Sequence, residues 1–105
     1  MLGEFEQLVM LAVLRAGEDA YGVPIRRAIV YGSRRAVSLA AVYKTLTRLE
    51  EKGFVVARVG EPTPERGGRR KRYYTVTAAG RRALRQSVEV LRRMARGLDL
   101  GLEAP

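Results

Sequence analysis

The chain has 105 residues, 47% of them hydrophobic, enough for one compact domain with a modest core. Cysteine and histidine are absent, which excludes disulfides, the usual zinc sites, thiol nucleophiles and histidine acid–base catalysis. Twenty Lys and Arg stand against 11 Asp and Glu, for a net charge of +9, and this excess favours a polyanionic partner, nucleic acid or an anionic membrane surface.

Residues 2–16 carry Phe5, Leu8, Val9, Ala12 and Val13 at helical spacing, extended by Leu11 and Leu14. The spacing predicts a helix stopped by Gly17. Its apolar run, residues 8–14 (LVMLAVL), is too short to span a bilayer. No signal-peptide pattern is present, so a cytoplasmic location is expected. Pro24 suits the first turn of a second helix, expected to run to about Tyr31 with Ile25, Ile29 and Ala28 inward, before a turn at residues 32–35. Ser38 is a good N-cap for a third helix with Leu39, Val42, Leu46 and Leu49 on one side and Gly53 at its end.

Phe54, Val55, Val56 and Val59 then switch to strand-like composition. Residues 60–68, with Pro62 and Pro64, read as a loop, and residues 73–76 as a returning strand with Tyr74 and Val76 inward. Thr77 is the expected cap of a fourth helix running to about Leu98, with Leu84, Val88, Leu91, Ala95 and Leu98 in a heptad seam. Ala83, Ser87, Val90 and Met94 make a second stripe beside it. Three helices, a two-stranded hairpin and a last helix make the fold mainly α, a winged helix-turn-helix domain over 1–76 with a C-terminal helix over 77–98. Residues 99–105 read as a flexible tail.

Two constellations carry the functional expectation. Opposite the apolar stripe of the third helix lie Ala40, Ala41, Lys44, Thr47, Arg48 and Glu51. Small residues near its start permit close approach to a groove, and Lys44 and Arg48, one turn apart, reach bases or phosphates. Ser38 caps this helix. Tyr43 flanks the stripe and is open to two readings, a core-boundary ring or a phosphate-bonding hydroxyl; Tyr21 poses the same choice. Arg34 and Arg35 are further candidate backbone contacts. The second constellation is the hairpin tip, where Arg66, Arg69, Arg70, Lys71 and Arg72 follow or flank Gly67 and Gly68. Like charges at this density repel each other, so their placement on a turn suits a polyanion better than folding. A nuclear import signal is a weaker reading, because the basic run leads straight into a strand.

The two stripes of the fourth helix are wider than one small domain needs. A second copy of the chain would cover them, with Leu8, Leu84, Val88, Leu91, Met94, Ala95 and Leu98 at the interface. Nothing in the sequence supplies a catalytic group set, a metal site or a cofactor motif, so neither an enzyme nor a cofactor is expected. The competing readings are a non-specific architectural nucleic-acid-binding protein and a basic protein-interaction module.

Five stretches resemble the PadR-like transcriptional regulators, specifically the short members with a single C-terminal helix. They are residues 2–14 (LGEFEQLVMLAVL), 20–29 (AYGVPIRRAI), 38–55 (SLAAVYKTLTRLEEKGFV), 60–80 (GEPTPERGGRRKRYYTVTAAG) and the closing Arg/Leu helix. The resemblance implies a dimeric winged-helix repressor on a palindromic operator in double-stranded DNA. It also implies a C-terminal helix packed on the partner's N-terminal helix and a small-molecule effector near the dimer interface. Carried over, Ser38, Tyr43, Lys44 and Arg48 fall in the recognition helix and residues 67–71 form the wing tip. The sequence departs from the family pattern in lacking an acidic end to the second helix at residues 30–36, any tryptophan, and any aromatic residue in the C-terminal helix.

Overall fold

A computed structural model describes residues 2–61 and 70–101. In chain order these form α1 (Glu4–Ala16), a 3-10 turn (Gly17–Asp19), α2 (Gly22–Ser33), α3 (Leu39–Glu51), β1 (Val55–Val59), β2 (Arg72–Val76) and α4 (Ala78–Ala95). The protein is therefore mainly helical with one antiparallel hairpin, as the sequence pattern predicts. Residues 62–69, which include Arg66, Gly67, Gly68 and Arg69, lie outside the described residues, as do residues 102–105. Among the described residues no helix is long and apolar enough to cross a membrane.

Helix α1 is the hub and packs on α2, α3, β2 and α4. Being covered from several sides, it buries a surface rotated from the expected stripe. Val9, Met10, Ala12 and Val13 are inside, Phe5 and Leu8 are half-buried, and Leu11 is exposed. Glu6 is also buried, at 7% exposure. Its carboxylate accepts the Gly3 amide at 2.9 Å and the Lys52 ammonium at 2.7 Å, which ties the start of α1 to the end of α3. Burial pushes the Glu6 pKa up, but Lys52 and the Gly3 amide outweigh it and hold the carboxyl below its ordinary value of 4.5. A depressed carboxylate stabilises the fold above that ordinary value, and the contribution is lost as pH falls through the folded pKa. Lys52 stays partly hydrated, so Glu6→Gln should cost only about 1 kcal/mol near neutral pH. In urea unfolding, the gap between wild type and variant should narrow and close as the pH is taken progressively below 4.5.

Helix α2 begins at Gly22, ahead of Pro24, and continues through Gly32 and Ser33, which the sequence suggested as a turn. The Ser33 hydroxyl donates to the Ile29 carbonyl at 2.6 Å, and Arg34, with φ of 57°, closes the helix in the left-handed region. Ser38 caps α3 as expected, its hydroxyl accepting the Ala41 amide at 3.1 Å. Val42, Thr45, Leu46 and Leu49 face the core, and Gly53, with φ of 77°, turns the chain into the hairpin.

The hairpin pairs Val55 with Val76 through Val59 with Arg72, and a further rung joins the Gly60 amide to the Lys71 carbonyl at 2.8 Å. Val55, Tyr74 and Val76 are buried, as the alternation predicts for the returning strand, while Val56 and Val59 face solvent. On its other edge β2 is anchored by the Tyr74 amide, which donates to the Ala20 carbonyl at 2.8 Å.

One residue, Thr77, separates β2 from α4. Its hydroxyl accepts the Gly80 amide at 3.0 Å and donates to the Gly53 carbonyl at 2.8 Å, while its own amide donates to the Phe54 carbonyl at 3.0 Å. Gly80 is buried so closely against that turn that an added Cβ would lie 2.2 Å from the Phe54 carbonyl oxygen. Helix α4 ends at Ala95, short of the expected Leu98, because Arg96 is extended and Gly97 has φ of 80°. Its first half packs on the domain through Leu84 and Ser87; its second half carries Leu91 and Met94 into solvent.

Candidate nucleic-acid interface

The outer face of α3 presents Ala40, Tyr43, Lys44, Thr47, Arg48 and Glu51 to solvent, with Ala41 half-buried beside them. Lys44, Thr47, Arg48 and Glu51 line a shallow depression along this face. The Thr47 hydroxyl is turned back on the helix and donates to the Tyr43 carbonyl at 3.0 Å. Ser38 is exposed as well as capping. The two long cations therefore stand one turn apart on a helix whose opposite side is fixed by Val42, Leu46 and Leu49.

Tyr43 lies at the boundary of the core. Its ring and hydroxyl pack over Gly22 at the start of α2, where an added Cβ would overlap the phenol, yet the residue stays 40% exposed. Glycine at position 22 is what lets the ring cross the start of α2.

The described part of the wing brings a cluster of rings and cations together at its base. Tyr21 meets Tyr73 edge to face with centroids 5.6 Å apart. The Lys71 ammonium lies 4.4 Å from the Tyr21 centroid and the Arg58 guanidinium 4.7 Å from that of Tyr73. Gly60 leaves room for the Tyr73 ring, since a Cβ there would come within 2.6 Å of it. Such contacts fix the direction of a side chain without cancelling its charge. Arg70 is exposed. Arg72 has a different setting. Its guanidinium donates to the Glu50 carboxylate at 2.8 Å and lies 5.9 Å from the Tyr74 centroid. That partner lies 22 positions away in sequence, and no local pattern announces it.

Of the remaining candidates, Arg34 is exposed at the end of α2, and Arg35 pairs with Glu4 at 2.7 Å. Both partners of that pair are largely exposed, so it leaves the guanidinium accessible and adds little to stability. In the set expected at a dimer interface, Leu84 is buried within its own chain, and Leu8, Val88 and Ala95 are half-buried. Leu91, Met94 and Leu98 are 63%, 73% and 63% exposed, an apolar surface that its own domain leaves uncovered. Beside α4 runs a groove of about 730 Å³ lined by Leu2, Phe54, Ala83, Val90 and Arg93 among others.

Glu6, Glu50 and Gly80 are not among the residues the sequence pattern singles out. Glu6 stands three and seven residues before Val9 and Val13, so its helical spacing was a usable signal; the other two had none.

The family model described as the transcriptional regulator PadR-like family matches residues 10–86. No curated protein matches the chain. Among solved structures, a PadR family transcription regulator from Clostridium difficile superposes with a TM-score of 0.70 at 19% identity, covering 94% of this chain and 99% of that one. A transcriptional regulator from Clostridium thermocellum gives 0.70 at 20% identity, over 93% and 92% of the two chains. A PadR family regulator from Eggerthella lenta gives 0.67 at 24% identity, over 97% and 88%.

Proposed function

From the premise that this chain belongs to the PadR-like family of transcriptional regulators, we propose that it is a sequence-specific repressor. It binds double-stranded DNA in the cytoplasm as a homodimer on a two-fold symmetric operator. Helix α3 enters the major groove with Lys44 and Arg48 reading bases, and the wing cations grip the flanking phosphates. The observation that carries this reading is the pairing of two basic elements in one domain. An exposed cationic helix face stands on a rigid apolar back, beside a hairpin whose basic arm is held by rings.

The exposed Leu91, Met94 and Leu98 support the homodimer, because a second copy would remove that surface from water. An effector that relieved repression would sit in the groove beside α4. With no aromatic residue in that helix, stacking would fall to Phe54.

Selection of bound duplexes from a randomised pool tests the reading. A two-fold symmetric site with half-sites roughly one DNA turn apart is the expected product. A pool that shows no enrichment would sink sequence specificity, and a lone asymmetric site would sink the dimer. Repeating the selection with Lys44→Ala and with Arg48→Ala should change the bases recovered. Recovery of the same site at uniformly lower affinity would move those residues to the phosphate-contacting class.

A further inference from the structure

We propose that Arg72 is a positioning residue rather than a DNA contact, and that its ion pair with Glu50 sets the pose of the wing relative to the recognition helix. The inference rests on the DNA-binding reading above. Arg72 is the first residue of β2 and pairs with Val59, the last of β1, so it stands at the far end of the strand pairing. Glu50 is half-buried in the last turn of α3, directly after the buried Leu49. The 2.8 Å bond between them is, among the described residues, the ion pair that joins the recognition helix to the hairpin.

The hairpin's backbone anchors to the rest of the domain, the Tyr74 amide to the Ala20 carbonyl and the Phe54 amide to the Leu49 carbonyl, lie farther along toward its base. A two-stranded ribbon can pivot about its base, and a restraint near its far end limits that motion with the greatest leverage. There the Tyr21 ring holds Tyr73 and Lys71, and the Arg72–Glu50 pair supplies the tie to the recognition helix. A guanidinium already neutralised by a carboxylate also has little net charge to offer a phosphate, and so releases few counterions on binding. Arg70, exposed and two residues earlier, is the phosphate-contacting comparison.

The test measures affinity against salt for the full chain on a random-sequence duplex, then compares that duplex with the one recovered by selection. Arg70→Ala should flatten the salt dependence by about one unit, the signature of a lost phosphate contact. Arg72→Ala should leave the slope at the wild-type value, while its preference for the selected duplex over the random one falls about two- to fivefold, the size of an exposed ion pair's coupling. Arg72→Lys, which keeps a cation opposite Glu50, should retain most of the preference. The exchange Glu50→Arg with Arg72→Glu should restore what each single change loses. Circular dichroism confirms that each variant is folded at the assay temperature, and a purely structural role would lower its melting temperature without moving the preference.

A slope loss for Arg72→Ala equal to that of Arg70→Ala would overturn the proposal, as would an exchange variant no more selective than the worse single one. The slope measurement needs no operator, so it decides the matter even if selection recovers none. Failure of the wild type to bind any duplex would instead overturn the functional reading, and this inference with it, a result visible before any variant is made.

Discussion

Alanine at both Arg69 and Arg70 should weaken DNA binding about tenfold per residue, as expected for the loss of a charge-assisted phosphate bond. The loss should be equal on selected and random duplexes, and the salt dependence should flatten by about two units in total. Phosphate contacts hold a protein on the duplex without reading it, so affinity falls while preference stays. Arg70 leaves the hairpin one residue before Lys71, whose ammonium rests on the Tyr21 ring. Lys71 closes the outermost rung among the described residues, with Gly60, and Arg70 stands exposed beside it. Fluorescence anisotropy over a salt series checks both numbers. A slope unchanged by the double substitution would remove these two arginines from the DNA contact.

The second large effect is on stability. Gly80→Ala should destabilise the protein by about 2–3 kcal/mol, at the upper part of the range for overpacked sites. In a domain of this size that lowers the melting temperature by roughly 10–20 °C. The added methyl would meet the backbone oxygen of Phe54 at 2.2 Å, and backbone cannot swing aside as a side-chain tip would. The same carbonyl accepts the Thr77 amide, so moving it also strains the cap of α4. Gly22→Ala makes a useful contrast, because the atoms its new methyl would meet first belong to the phenol of Tyr43, the end of a partly exposed side chain rather than backbone. Thermal unfolding of the two variants side by side should show Gly80→Ala as clearly the less stable.

What could be read from the sequence followed the range of the interactions involved. Ser38 and Thr77 were legible as caps because each bonds an amide three residues ahead, and Gly53 because a left-handed turn after a helix selects glycine. The alternation in residues 73–76 correctly put Tyr74 and Val76 inside. The errors came where a local signal was overridden. Gly32 and Ser33 suggested a turn, but the serine hydroxyl bonds back to Ile29 and the helix continues through both. The heptad spacing pointed past Ala95, yet Gly97 takes a positive φ and the last leucines lie beyond the helix. The Glu50 partner of Arg72 was not legible, because it is brought to the wing only by the fold. Gly80 had no periodic signal, since close approach between α4 and the turn after α3 exists only in three dimensions.

Among the described residues the hairpin ladder reaches out to the rung between Gly60 and Lys71, and that whole length shares one register with the core. Along that length, a one-residue change would turn Tyr74 and Val76 out of the core.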